Sequence, residues 1–160
     1  MKNIYDNMEM SPSELVLASN ELSRIAHKEL YHFHDESYRI VMDDLLEAVA
    51  AFRGKRVRLH IVSEWTGIVK LATWRSSPGT GDVLFLLRNM GIRPEELLLF
   101  RGADIPDLFP WLYYGRRLDV LKKMCLSAKT NSERHINNSD TRVHCHLSAL
   151  DISRIVASSL

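Results

Sequence analysis

No apolar run in the sequence approaches the ~20 residues that a helix needs to cross a bilayer, so membrane insertion is not expected. The first ten residues are mixed and acidic and lack the basic-then-apolar order of a secretory signal. With only two cysteines, Cys125 and Cys145, a disulfide framework is excluded, and reduced thiols in a cytoplasmic setting are expected. Long low-complexity tracts and internal repeats are also missing. What is there is a 46% hydrophobic composition over 160 residues, enough to build a core and to exclude wholesale disorder.

The net charge of +1 conceals an uneven distribution. Residues 1–52 carry 4 basic and 10 acidic side chains, a net of −6, whereas residues 53–75 carry 6 basic groups against Glu64, a net of +5. The whole-molecule balance argues against a general nucleic-acid binder. An acidic and a basic region on one chain suit contact between unlike faces of neighbouring molecules.

Helical signals dominate the pattern. Ser11-Pro12-Ser13-Glu14 reads as a capping box, and Leu15, Ala18, Leu22, Ile25, Ala26 and Leu30 follow at helical spacing, which predicts a helix over 11–31. Asp35 caps a second helix ending at Gly54, with Tyr38, Val41, Met42, Leu45, Val49 and Phe52 as its stripe. Over 57–74 two periods compete. Val57, Leu59 and Ile61 alternate with Arg56, Arg58 and His60 as in a strand, while Ile61, Trp65, Ile68 and Ala72 fit a helix; short helices are the preferred reading. Further helices are expected from Thr80 to Met90, from Pro94 to Phe100 and from about Pro110 to Leu126. Polar residues over 127–141 read as a flexible linker, followed by an amphipathic element over 148–157.

The chemistry-bearing residues are scattered. His144-Cys145-His146, with His135 nearby, offers zinc-compatible donors, but adjacent ligands do not match the paired spacings of structural zinc sites. His27, His32 and His34 sit where a helix C-terminus favours histidine for dipole reasons. Asp43, Asp44 and Glu47 read as a solvated helix face, and Cys125 lacks a base to activate it. Pro78-Gly79-Thr80-Gly81-Asp82 has neither phosphate-loop spacing and is explained by a turn and cap. These residues predict no enzyme, no cofactor and no metal site.

One stretch carries a resemblance. Trp74, the polar turn Arg75-Ser76-Ser77-Pro78-Gly79, the capping Thr80 and the leucine-rich helix to Met90 resemble the fifth-helix region of death domains in Pelle/IRAK kinases and Tube-like adaptors. His146-Leu147-Ser148-Ala149-Leu150-Asp151-Ile152 looks like the segment leading into the kinase domain of that family, although no kinase signature is present. The resemblance implies an all-α fold, a six-helix antiparallel death-domain-like bundle with an extra C-terminal helical segment. Its expected divisions are an arm at 1–10, the bundle at 11–106, a further helix at 107–126, and a linker with a short terminal helix at 127–160. It also implies non-catalytic, homotypic assembly with other death-domain proteins, adaptor or kinase, in innate-immune or cytokine-receptor signalling, with homo-oligomers as one form. In that reading Arg53, Lys55, Arg56 and Arg58 meet Asp43, Asp44 and Glu47 of a neighbour. The alternative is a helical nucleic-acid-binding regulator using the basic segment 53–75 with Trp65 and Trp74.

Overall fold

A computed structural model describes residues 14–41, 44–52, 58–136, 140–149 and 151–160. Its centre is a mixed sheet of five strands: β1 (Glu14–Ala18), β2 (Tyr38–Ile40), β3 (Arg58–Ser63), β4 (Arg142–Ala149) and β5 (Arg154–Ser158). Their order is β2-β1-β3-β4-β5, parallel except for the antiparallel edge strand β5. The register pairs Val16 with His60 and Val62 with His146. Seven α-helices among the described residues accompany the sheet: α1 (Glu21–Tyr31), α2 (Leu45–Ala50), α3 (Trp65–Thr73), α4 (Thr80–Asn89), α5 (Pro94–Leu97), α6 (Ile105–Tyr114) and α7 (Leu118–His135).

The two faces of the sheet differ in chemistry. Leu15, Leu17, Leu59, Ile61, Val143, Cys145 and Leu147 point into the main core, where α2, α3, α6 and α7 supply residues such as Val49, Ile68, Leu71, Leu112 and Met124. Beneath α1 lies a smaller apolar cluster of Val16, Ala18, Tyr38 and Val62, flanked by Phe33 and Ile155. The result is a doubly wound α/β arrangement.

This architecture overturns the all-α expectation, and with it the six-helix death-domain bundle. Leu15-Val16-Leu17-Ala18 is a continuous apolar run because a central parallel strand is buried on both faces; read with a helical period, it merges into α1. The true helix start lies later, at Asn20, whose side chain accepts from the Ser23 amide at 2.8 Å. The proposed cap over 11–13 lies outside the described residues. In the second predicted helix, Tyr38–Ile40 is strand β2, and helix begins only after Asp44. Segment 57–74 satisfies its two periods in succession, as strand β3 and then helix α3. The expected helix over 110–126 is two helices broken at Gly115 and Arg116, the latter at φ 59°. Helix α7 continues to His135 through the stretch read as linker, and strands β4 and β5 stand where a terminal helix was expected. The helix from Thr80 and the short helix from Pro94 form, but Gly79 rather than Thr80 takes the N-cap position of the first, and Thr80 Oγ1 donates to the Ala103 carbonyl at 2.7 Å.

Among the described residues no helix is long and apolar enough to cross a membrane.

Candidate functional site

The strand order reverses direction between β1 and β3. From β1 the chain winds outward through α1 to β2, then returns across the opposite face through α2 to β3. In such sheets the carboxyl ends of the strands on either side of this point border a crevice. Here those ends are Ser19-Asn20 and Ser63-Glu64. Glu64 occupies the N-cap position of α3 without using its side chain as a cap. Instead Glu64 Oε2 accepts from Ser19 Oγ at 2.8 Å, Asn20 Nδ2 at 3.1 Å and Ser63 Oγ at 3.4 Å. Thr66 Oγ1 donates to Oε1 at 3.2 Å. Because Asn20 Oδ1 is engaged by the Ser23 amide, its amide nitrogen is directed at the carboxylate. No basic group among the described residues forms an ion pair with Glu64.

Glu64 and Asp151 are the acidic groups lining a cleft of about 260 Å³ whose walls are Trp65, Pro106, Phe109, Pro110, Tyr113 and Tyr114. Trp65 Nε1 donates to the Ile105 carbonyl at 2.9 Å, tying α3 to α6. Phe109 and Tyr113 stack with ring centroids 5.6 Å apart. Gly67 lets α3 approach the sheet: a Cβ there would overlap Ser63 Oγ and lie 2.9 Å from Ser63 Cβ.

A second polar arrangement lies under α1. This helix turns Ser23 and His27 inward, both fully buried, and leaves Leu22 and Leu30 43% and 56% exposed. Burying a leucine would stabilise by roughly 1.5–3 kcal/mol, so apolar burial alone does not choose this face. Ser23 Oγ lies 2.8 Å from Ser148 Oγ of β4. His27 meets His60 of β3 and His146 of β4: His27 Nε2 is 3.1 Å from His60 Nδ1, which is 2.8 Å from His146 Nε2. The outer nitrogens have hydroxyl partners, Tyr38 Oη at 2.7 Å from His27 Nδ1 and Ser158 Oγ at 2.7 Å from His146 Nδ1. Burial depresses all three imidazoles from their usual value near 6.5, His27 to about 3, His60 to about 4 and His146 to about 2; the neighbouring rings add to the effect. These three form the group of described residues whose ligand atoms lie close enough together to hold a metal ion.

Sequence reasoning singled out two members of this cluster in separate contexts and did not join them. The H-C-H run divides between faces, as the period of a strand requires: His144 and His146 point toward α1, while Cys145 is buried in the main core with Cys125. His60 appeared only as the polar half of an alternation. His32 ends α1 at φ 58°, and His34 is exposed. His135 stacks on Trp74 with centroids 3.9 Å apart. Of the predicted partner-binding residues, Arg53, Lys55, Arg56 and Asp43 lie outside the described residues. Arg58 pairs with Glu14 at 3.6 Å, Asp44 caps α2 by accepting from the Leu46 amide, and Glu47 is exposed.

Fold and sites together define a doubly wound α/β protein with a crevice at its switch point and a buried histidine cluster on its polar face. No family model, curated protein or solved structure matches the chain.

Proposed function

We propose that the chain is a small-molecule-binding protein whose switch-point crevice takes a compact organic cation. The observation that carries this reading is Glu64, a carboxylate fixed by four side-chain donors, without an ion-pair partner among the described residues, at the mouth of an aromatic cleft. Fixed hydrogen bonds position the charge before a ligand arrives, which reduces the ordering cost of binding. Aromatic faces favour a cation beside them, and Asp151 adds a second negative group at the rim. In this reading the protein binds and does not catalyse. The two buried free thiols support a reducing, cytoplasmic setting.

Calorimetric titration with choline and with its uncharged isostere 3,3-dimethylbutanol tests the assignment. Choline is expected to bind more tightly than the alcohol, and Glu64→Gln to weaken choline at least tenfold without altering the circular dichroism. Equal binding of the two probes, or an unchanged affinity in Glu64→Gln, refutes it.

A second reading, docking of a protein partner, is favoured by a separate feature. Phe85 and Leu98 are each 64% exposed and line a shallow groove with Leu84, Leu97, Arg88 and Arg101. Apolar anchors rimmed by arginines suit an acidic amphipathic helix. Phe85→Asp is expected to abolish capture of such a peptide while leaving the choline titration unchanged; retained capture would remove this reading.

A further inference from the structure

We propose that His27, His60 and His146 are the ligands of a divalent first-row transition ion, zinc foremost, bound through Nε2, Nδ1 and Nε2 respectively. The site is separate from the crevice and goes beyond the ligand-binding reading.

A neutral imidazole carries one N–H and one lone pair, and each ring nitrogen has a single in-plane position for a partner. Two imidazole nitrogens nevertheless face His60 Nδ1, at 3.1 and 2.8 Å. One proton cannot serve both contacts in line, whereas a cation at the centre takes a lone pair from all three.

A tetrahedral zinc ion with bonds of about 2.0–2.1 Å sets its ligand nitrogens about 3.3–3.4 Å apart. The two separations at His60 Nδ1, 3.1 and 2.8 Å, reach this by an outward shift of about 0.2–0.6 Å, and all three ligand atoms lie within 4.8 Å of one another. Three imidazoles leave a fourth position for water or another small ligand.

Tyr38 Oη and Ser158 Oγ each lie 2.7 Å from the ring nitrogen directed away from the centre. Such partners orient ligating histidines and fix which ring nitrogen faces the centre. All three ligands are buried and stand on regular elements, α1, β3 and β4. His144 is adjacent, its ring 5.1 Å from that of His60, but it lies outside the converging group and serves as an internal control.

The test uses the full chain stripped by a chelator, with zinc and cobalt(II) as probes. One equivalent of zinc is expected, and cobalt is expected to give the strong visible bands of a tetrahedral site. X-ray absorption should count three imidazoles on the bound ion. His60→Phe and His146→Phe should each weaken zinc at least ~100-fold, while His144→Phe stays within a few-fold of the parent. Ser158→Ala removes only an outer hydroxyl, so it guards against a ligand variant that fails to fold; it should weaken zinc about 10–100-fold. Sub-stoichiometric zinc on the folded wild-type chain overturns the proposal. So does one equivalent that survives His60→Phe, or an ion with fewer than three imidazoles.

Discussion

Gly67 and Gly81 are both helical glycines, yet alanine at the two positions is expected to act with opposite sign. Gly81 lies in the first turn of α4, and a Cβ there meets nothing within 4 Å. Gly81→Ala therefore removes only unfolded-state freedom and is expected to stabilise by about 0.5–1 kcal/mol. At Gly67 the new Cβ overlaps Ser63 Oγ, lies 2.9 Å from Ser63 Cβ and touches Leu45 Cδ2 at 3.5 Å. Ser63 is fully buried at the end of β3, so its backbone has no room to retreat. Overpacking costs about 1–3 kcal/mol, and a direct overlap belongs in the upper part of that range. The helix gain of roughly 1 kcal/mol offsets part of it, leaving a net loss of about 1–2 kcal/mol. For a chain of this size Tm should fall by about 2–8 °C in Gly67→Ala and rise by about 1–4 °C in Gly81→Ala. Urea unfolding followed by circular dichroism gives both values. Adding Ser63→Gly to Gly67→Ala removes the obstructing atoms, and a double-mutant cycle isolates the coupling from the cost of glycine in a strand. A Gly67→Ala protein as stable as wild type, or a cycle without coupling between 63 and 67, would refute the packing argument.

The two thiols are expected to be inert in the folded state. Burial pushes Cys125 up to about 12, which leaves about one part in ten thousand as thiolate at pH 8, and Cys145 is also raised by burial. Iodoacetamide should modify neither thiol in buffer and both in urea; stoichiometric labelling faster than unfolding would contradict this. Asn131 Nδ2 donates to the Leu71 and Ala72 carbonyls at 3.0 and 2.7 Å, tying α7 to the end of α3. Asn131→Ala is expected to cost about 1–3 kcal/mol in urea unfolding, and a loss below 0.5 kcal/mol would show that water replaces the amide without penalty.

What the sequence made legible is what local chemistry determines. Pro94 at a helix start and the turn before Thr80 act within a few residues, and both helices form. Longer-range features were hidden for identifiable reasons. A parallel strand buried on both faces loses its alternation, so 15–18 looked like the beginning of α1. Strand β4 alternates in position, but His146 is as buried as its aliphatics, and a hydropathy pattern does not mark it. The C-terminal half of α7 was read as linker because 128–134 is polar, yet Ala128 and Ser132 face inward and Asn131 binds neighbouring carbonyls. Both candidate sites join residues from separate elements. His27 and His146 stand 119 positions apart and meet only because β3 and β4 pair and α1 crosses the same face. Glu64 seemed an isolated acid in a basic run until the β1–β3 pairing brought Ser19 and Asn20 to it.

The polar face also determines which part of the molecule a bound metal would hold. Beneath α1 the apolar cluster is small, and the helix directs Ser23, Ala26 and His27 at the sheet. It is therefore attached mainly by polar contacts, and opening of α1 alone breaks the proposed metal site. Openings of α4 and α5, which lie away from that site, leave it intact. With zinc at 100 times its Kd, any opening that releases the ion costs about 2.7 kcal/mol more, equivalent to a hundredfold slower exchange. Amide exchange in α1 should slow by about that factor, together with core amides that exchange only through global unfolding. Locally exchanging amides of α4 and α5 should keep their rates. Uniform protection of every amide would place the ion elsewhere or point to nonspecific association. Unchanged α1 amides beside protected core amides would mean that the helix and its histidine do not hold the metal.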